Sequence, residues 1–447
     1  MPPSSILVSF GLIWSITAGA TLLQIANGLL QILLPLRMEQ DGIAISGIGF
    51  VAAAYGLGFA TGCVLAPILV RNVGHVRAFA SLAAIAAVVA LGFTQVTSLI
   101  GWIGLRALSG IALAGLFTVI DGWVSSRATM GNRGRIVSLY MICTKIALML
   151  SPLALGLGSI GGDGLFLLIA ALMCLSLIPV SATISEEPRA PTSVRLIVPL
   201  LFRIAPSAVV GAFAVGLMNS TVIAIAPVYG VRVGLSASEA GLLFLALQGG
   251  SLLLQWPLGW LSDFVDRRKV IAGVSAATAI VCGGILWATA LQDTTLLVLA
   301  FGLWGGMALC VYAVCVAHAC DLVEPEQIVP TISSLLVCWA IGGMIGPIPA
   351  TMLMGLIGPE GLFYYCAAIA TALAIFVTIR ILKKERDPNM GGFVNLLATS
   401  TATAEMAPRD EQDADRADET VEERIEPATE PLVGKVVPTP GNPNRDG

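Results

Sequence analysis

The stretch Pro257-Leu258-Gly259-Trp260-Leu261-Ser262-Asp263-Phe264-Val265-Asp266-Arg267-Arg268 sets two acidic and two basic residues and a glycine between two long apolar runs. One run covers about 240–262 and the other about 269–291. Each is roughly 20 residues, the length at which a helix crosses a hydrocarbon core. Gly259 permits close helix approach, and Asp263 and Arg267 can pair only when neighbouring helix ends are together. The segment therefore predicts a charged loop between two membrane helices, with Gly259, Asp263 and Arg267 as a latch that favours one conformer.

Moving outward, the same apolar window recurs along the chain. The expected spans are 9–34, 47–70, 77–95, 97–120, 136–158, 164–184, 204–228, 240–262, 269–291, 295–319, 329–357 and 361–382. They read as helices, since barrel strands would alternate in polarity over about 10 residues. A chain that is 56% hydrophobic and 12% charged, with a mean hydropathy of +0.88, needs lipid as its solvent. The nine cysteines lie in or beside apolar windows without ligand spacing, so they read as small core residues, and no metal framework is expected. No basic region precedes the first apolar run, which is therefore expected to be the first helix and not a cleaved leader.

Charge gives the sidedness. With the N-terminus placed in the cytoplasm, fifteen Lys and Arg residues fall in inside loops, among them Arg71, Arg77, Arg127, Arg203, Arg267, Arg268 and Lys269. Only Arg37 and Arg232 fall outside. This bias puts both termini in the cytoplasm of a multi-pass protein of the cytoplasmic (inner) membrane. The net charge of -4 belongs to the end of the chain, because the stretch from Asp387 onward holds 13 acidic and 5 basic residues. That stretch, 387–447, is expected to be a disordered acidic cytoplasmic tail, since it cannot bury enough apolar surface to offset its ordering entropy.

An offset of 192 residues aligns Pro35 with Pro227, Ser46 with Ser238, Gly49 with Gly241, and the loop residue Gly74 with Asp266. The matches fall at equivalent elements, as in a duplicated six-helix unit. The expected organisation is an N-terminal six-helix bundle (1–184), a polar cytoplasmic linker (185–203) and a C-terminal six-helix bundle (204–386).

The loop quoted first resembles the signature loop of the major facilitator superfamily, roughly G-x-L-x-D-x-x-G/D-R-R. Its first-half counterpart, Pro67 to Arg77, departs from the pattern: Pro67 and Arg71 stand where the family has Gly and Asp, so Arg71 is expected to pair instead with Asp121. His75 in that loop reads as a surface histidine. Arg106 with Gly110 resembles the family's R-x-x-x-G motif, and Ser151-Pro152 and Gly346-Pro347 resemble its helix-bending Gly-Pro motif. Gly249, Gly250, Gln255, Pro257, Gly259, Asp263, Asp321, Gly346, Pro347, Gly358 and Pro359 together resemble the YcaD-like branch. The resemblance implies an all-α membrane protein of about twelve helices in two pseudo-symmetric bundles, working as a secondary transporter.

Polar residues inside spans should face a cavity or a partner helix. Gln24, Asn27 and Gln31 share one helical face, and Asn219, Ser220, Thr221, Gln248 and Gln255 lie at comparable depth in the second half. Tyr312 and His318 read as packing residues. Arg106 and Lys145 are the mid-span charges, each roughly 14 Å from a membrane edge by helical rise, and no Asp or Glu lies clearly mid-span. Two cations at that depth point to an anionic solute held by both, with a neutral polar solute or an amphipathic drug-like solute as alternatives. Lys145 is also a candidate titrating group for proton coupling. No phosphate-binding loop, metal set or acid–base cluster is visible, so neither an ATP motor nor a membrane-embedded enzyme is expected. A drug or metabolite efflux pump and a non-transporting sensor that keeps the fold are the competing readings. The expected partners are a small-molecule solute, membrane lipid, and a proton or other coupling ion. No nucleic acid and no cofactor are expected, and the chain is expected to act as a monomer.

Overall fold

The computed structural model describes residues 6–127, 133–181 and 196–383, with side chains described over 14–124, 136–180 and 196–383. Part of the linker (185–195) and the acidic tail lie outside the described residues. The helices are α1 (Ile6–Gln40), α2 (Ile45–Val73), α3 (His75–Gln95), α4 (Leu99–Arg127), α5 (Arg133–Leu150), α6 (Gly164–Leu175), α7 (Leu177–Ser181) and α8 (Val198–Ile204), then α9 (Pro206–Arg232), α10 (Ala237–Phe264), α11 (Arg267–Ala290), α12 (Thr294–Cys320), α13 (Ile328–Ile345), α14 (Pro347–Ile357) and α15 (Gly361–Lys383). Among the described residues there is no strand.

Among the described residues eleven stretches are long and apolar enough to cross a membrane, and the shorter apolar stretch Gly164–Val180 sits where a sixth span was expected. Proline sets the interruptions. Span five turns from α5 into a 3-10 segment, Ser151–Leu157, at Pro152, and span eleven divides into α13 and α14 at Pro347. In both places the ring removes a backbone donor and clashes with the preceding turn.

The two halves repeat one packing device. In the first, α2 lies against α4 so closely that a Cβ on Gly58 would overlap the carbonyl of Ala107. In the second, α10 lies against α12, and a Cβ on Gly250 would overlap the carbonyl of Gly302. Gly58 and Gly250 are 192 residues apart, the offset already set by Pro35 and Pro227. Without a hydrophobic drive between helices in lipid, such backbone-to-backbone contact supplies the packing energy.

The basic loops mark one end of the bundle; the opposite end carries Glu39, Asp41, Asp163 and Arg232. Close approaches between the halves lie toward that opposite, far end. Gly49 of α2 faces Thr351 and the Pro347 carbonyl, Gly56 faces the Met344 backbone, and Gly241 of α10 faces Pro152 and Leu155. There Arg232 of α9 also donates to both carboxylate oxygens of Glu39 on α1, at 2.8 and 3.0 Å.

Candidate functional site

Between the halves lies a cavity of about 210 Å³ whose wall includes Gln24, Asn27, Gln31, Arg106, Lys145, Asn219 and Gln248, so every residue expected to bind solute faces one space. Ser220 and Gln255 line it too, whereas Thr221 turns its hydroxyl back onto the Leu217 carbonyl at 2.6 Å. Tyr55, Tyr312 and Trp339 complete the aromatic part of the wall. Tyr312 is therefore more than a packing residue; aromatic positions on an all-apolar helix carry no periodic signal that separates cavity from core.

On α1 the three amides form a chain. Asn27 Nδ2 donates to Gln24 Oε1 and Gln31 Nε2 donates to Asn27 Oδ1, each at 3.4 Å, because spacings of three and four residues stack side chains on one helical face. Asn219 on α9 donates from Nδ2 to the Ala308 carbonyl of α12 at 3.2 Å.

The two cations have different surroundings. Lys145 Nζ donates across the interface between halves, to Ser251 Oγ at 2.9 Å and Gln255 Oε1 at 2.8 Å on α10. Arg106, only 5% exposed, lies with its guanidinium 4.3 Å from the centre of the Tyr55 ring and has no hydrogen-bond acceptor among the described residues. The ring face attracts the cation but satisfies none of its N–H donors. The expectation that both cations stand free for solute thus divides: Lys145 is engaged by the opposite half, and Arg106 is open.

Among the gating residues, Arg267 has a second and shorter partner, and the expected pairing of Arg71 with Asp121 requires correction. Arg267, 2% exposed, donates from Nε to Asp321 Oδ2 at 2.6 Å, while its separation from Asp263 is 3.6 Å. Asp321 caps the end of α12, and Gly259 is buried in α10, its carbonyl accepting from Ser262. These contacts tie α10, α11 and α12 together within the second half. Asp321 stands 54 residues from Arg267, and no local spacing links them. Arg71 is exposed and makes no ion pair with Asp121, which is buried and accepts from the Tyr140 hydroxyl at 2.9 Å. The end of α2 points Arg71 outward, and α4 turns Asp121 into the bundle. His75 is likewise buried, not a surface residue, with its ring 6.0 Å from that of Trp123.

At the joint between α10 and α11, Asp266 accepts from the Arg268 backbone N–H at 2.9 Å and pairs with its guanidinium at 2.8 Å. Burial pushes the Asp266 carboxyl upward, but the hydrogen bonds and charge of Arg268 outweigh it, so its pKa lies below the usual carboxylate value.

Known proteins share this architecture. Curated relatives named "Uncharacterized MFS-type transporter YcaD" include one from Salmonella dublin, 24% identical over 375 residues (83% of this chain, 95% of the relative). Another, from Salmonella typhi, is 25% identical over 356 residues (79% and 91%). Among solved structures, the nucleoside transporter NupG superposes with a TM-score of 0.72 at 15% identity, covering 84% of this chain and 100% of that one. A D-xylose-proton symporter gives 0.66 at 15%, covering 82% and 97%. The sequence profile of the Major Facilitator Superfamily matches residues 16–206 and 208–404, and with a duplicated helical bundle around a central cavity the chain is a multi-pass membrane protein that belongs to this transporter superfamily.

Proposed function

We propose that the protein is a secondary active transporter that moves a small organic anion across the cytoplasmic membrane by alternating access. The observation that carries this reading is Arg106. A cation at mid-membrane depth costs about 2.5 to 3.5 kcal/mol on insertion scales, and among the described residues its guanidinium meets an aromatic ring and no hydrogen-bond acceptor. A bound carboxylate or similar anion would supply the missing acceptors and offset that cost. At about 210 Å³ the cavity is smaller than the usual ligand site of about 300 to 1,000 Å³, which suits a metabolite-sized solute. In this reading the bundles 1–184 and 204–386 rock about the cavity, joined by the linker 185–203, and Glu39 with Arg232 closes the far, periplasmic end. Gly259, Asp263, Arg267 and Asp321 keep the second bundle rigid while it moves. Lys145 is the contact that solute or protons release.

The test uses proteoliposomes and a panel of labelled monocarboxylates. Wild-type protein should carry at least one of them, and Arg106→Gln should lower its rate about 10-fold to 100-fold, the worth of a charged hydrogen bond. Undiminished transport of a neutral or cationic solute by the Arg106→Gln/Lys145→Gln double variant defeats the proposal. The proposed sidedness predicts that Asp163→Cys, in a background without reactive native cysteines, is labelled from outside intact cells; labelling only from inside reverses it.

A further inference from the structure

The offset of 192 residues pairs Asn27 with Asn219, and both line the cavity. Their surroundings differ. Asn27 is satisfied on both sides of its amide, donating to Gln24 and accepting from Gln31. The residues of the second half that correspond to Gln24 and Gln31 are Gly216 and Ile223, so Asn219 has no such neighbours. Its Nδ2 is held by the Ala308 carbonyl, and its Oδ1, in a residue 3% exposed, has no hydrogen-bond partner among the described residues. Turning the amide over would set Oδ1 against the Ala308 carbonyl, acceptor against acceptor, so the orientation is fixed by chemistry. A buried acceptor without a donor is costly, and such groups are rare in folded proteins.

Two complementary vacancies therefore belong to cavity-wall residues of opposite halves. Arg106 of α4 lacks an acceptor, and Asn219 of α9 lacks a donor. Trp339 of α13, also in the cavity wall, adds a second donor without an acceptor, its indole Nε1. A simple carboxylate only accepts, so it has the chemistry for Arg106 and Trp339 but none for the Asn219 Oδ1 acceptor. A hydroxyl can donate, so it supplies what Asn219 Oδ1 lacks and a carboxylate does not.

We propose that the solute is a hydroxylated organic acid, its carboxylate on Arg106 of the first half and a hydroxyl on Asn219 of the second. This deepens the organic-anion reading and rests on it. The solute is then itself a bridge between the halves, beside the one made by Lys145 to Ser251 and Gln255. Sites built to hydrogen-bond a hydroxyl reject the analogue lacking it, because the buried partner stays unpaired.

The experiment is thermal stabilisation of the purified full-length protein, titrated with glycerate against propanoate, gluconate against hexanoate, and glycerol as the neutral control. A ligand that binds the folded state alone raises the apparent stability by mass action. The hydroxylated acid of at least one pair should act at a concentration about 10-fold or more below its deoxy partner. Asn219→Leu should erase that difference, with Asn219→Ser as the milder replacement should the leucine variant not fold; the wild-type comparison alone is decisive. Equal action of hydroxylated and deoxy acids overturns the hydroxy-acid inference while the organic-anion reading stands. Stabilisation by glycerol that Arg106→Gln leaves unchanged, with no response to any acid, overturns both. No response to any of the five compounds also counts against the hydroxy-acid inference.

Discussion

The loop after α2 and the loop after α10 hold the same place in the two halves and are built from different chemistry. The offset of 192 residues sets Arg71 against Asp263, Gly74 against Asp266 and His75 against Arg267. In the second half the joint is ionic: Asp266 caps α11, Arg268 pairs with Asp266, and Arg267 is held by Asp321. In the first half Gly74 turns the chain at a φ of +83° with no side-chain cap, and His75 and Phe79 pack around Trp123. What the repeat preserves is backbone contact, Gly58 on α4 and Gly250 on α12; the joint beside it tolerates either charge or aromatic packing.

The comparison breaks most visibly at Asp321. Its removal leaves a nearly buried Arg267 without its shortest partner, and Asp321→Ala should destabilise the fold by about 3 to 5 kcal/mol, read as a fall in thermal midpoint in detergent. A variant that melts with the wild type would show that the ionic joint is dispensable. A smaller effect is expected at Asp266. Asp266→Ala removes a helix cap worth about 1 kcal/mol. Because the folded carboxyl titrates below its unfolded value, its contribution is full above the ordinary carboxylate range and is lost as pH falls through the folded pKa. The variant and wild type should therefore differ near neutrality and converge in acid; a gap that stays constant across that range refutes the linkage. The smallest effect belongs to Arg71, whose exposed side chain pairs with nothing among the described residues. Arg71→Gln should lie within about 0.5 kcal/mol of wild type, and a large loss there would restore the symmetry that the geometry denies.

Much of this was legible in the sequence for a physical reason. Lipid demands long apolar helices, so spans, loops and the duplicated unit are written in composition, and Pro152 and Pro347 mark where helices break. The cavity wall was legible too, because amides and cations within apolar helices must face inward: Gln24, Asn27, Gln31, Arg106, Lys145, Asn219 and Gln248 meet in one space. Pairing across distance was not legible. The partners of Lys145 lie 106 and 110 residues away, and Asp321 became the anchor of Arg267 only once α10, α11 and α12 were packed. The burial of His75 depends on Trp123, 48 positions on in the chain. Side-chain partners between helices follow from packing angles, which hydropathy does not encode.

The ion pair of Glu39 with Arg232 has a consequence for the medium around the protein. The two side chains are 20% and 28% exposed, within reach of dissolved ions, whose Debye length at physiological strength is about 8 Å. Added salt weakens such a contact, whereas the bridge from Lys145 to Ser251 and Gln255 lies in the wall of the central cavity and is screened far less. Two fastenings between the same halves therefore answer differently to the ionic strength of the surroundings, the outer one strongly and the inner one weakly.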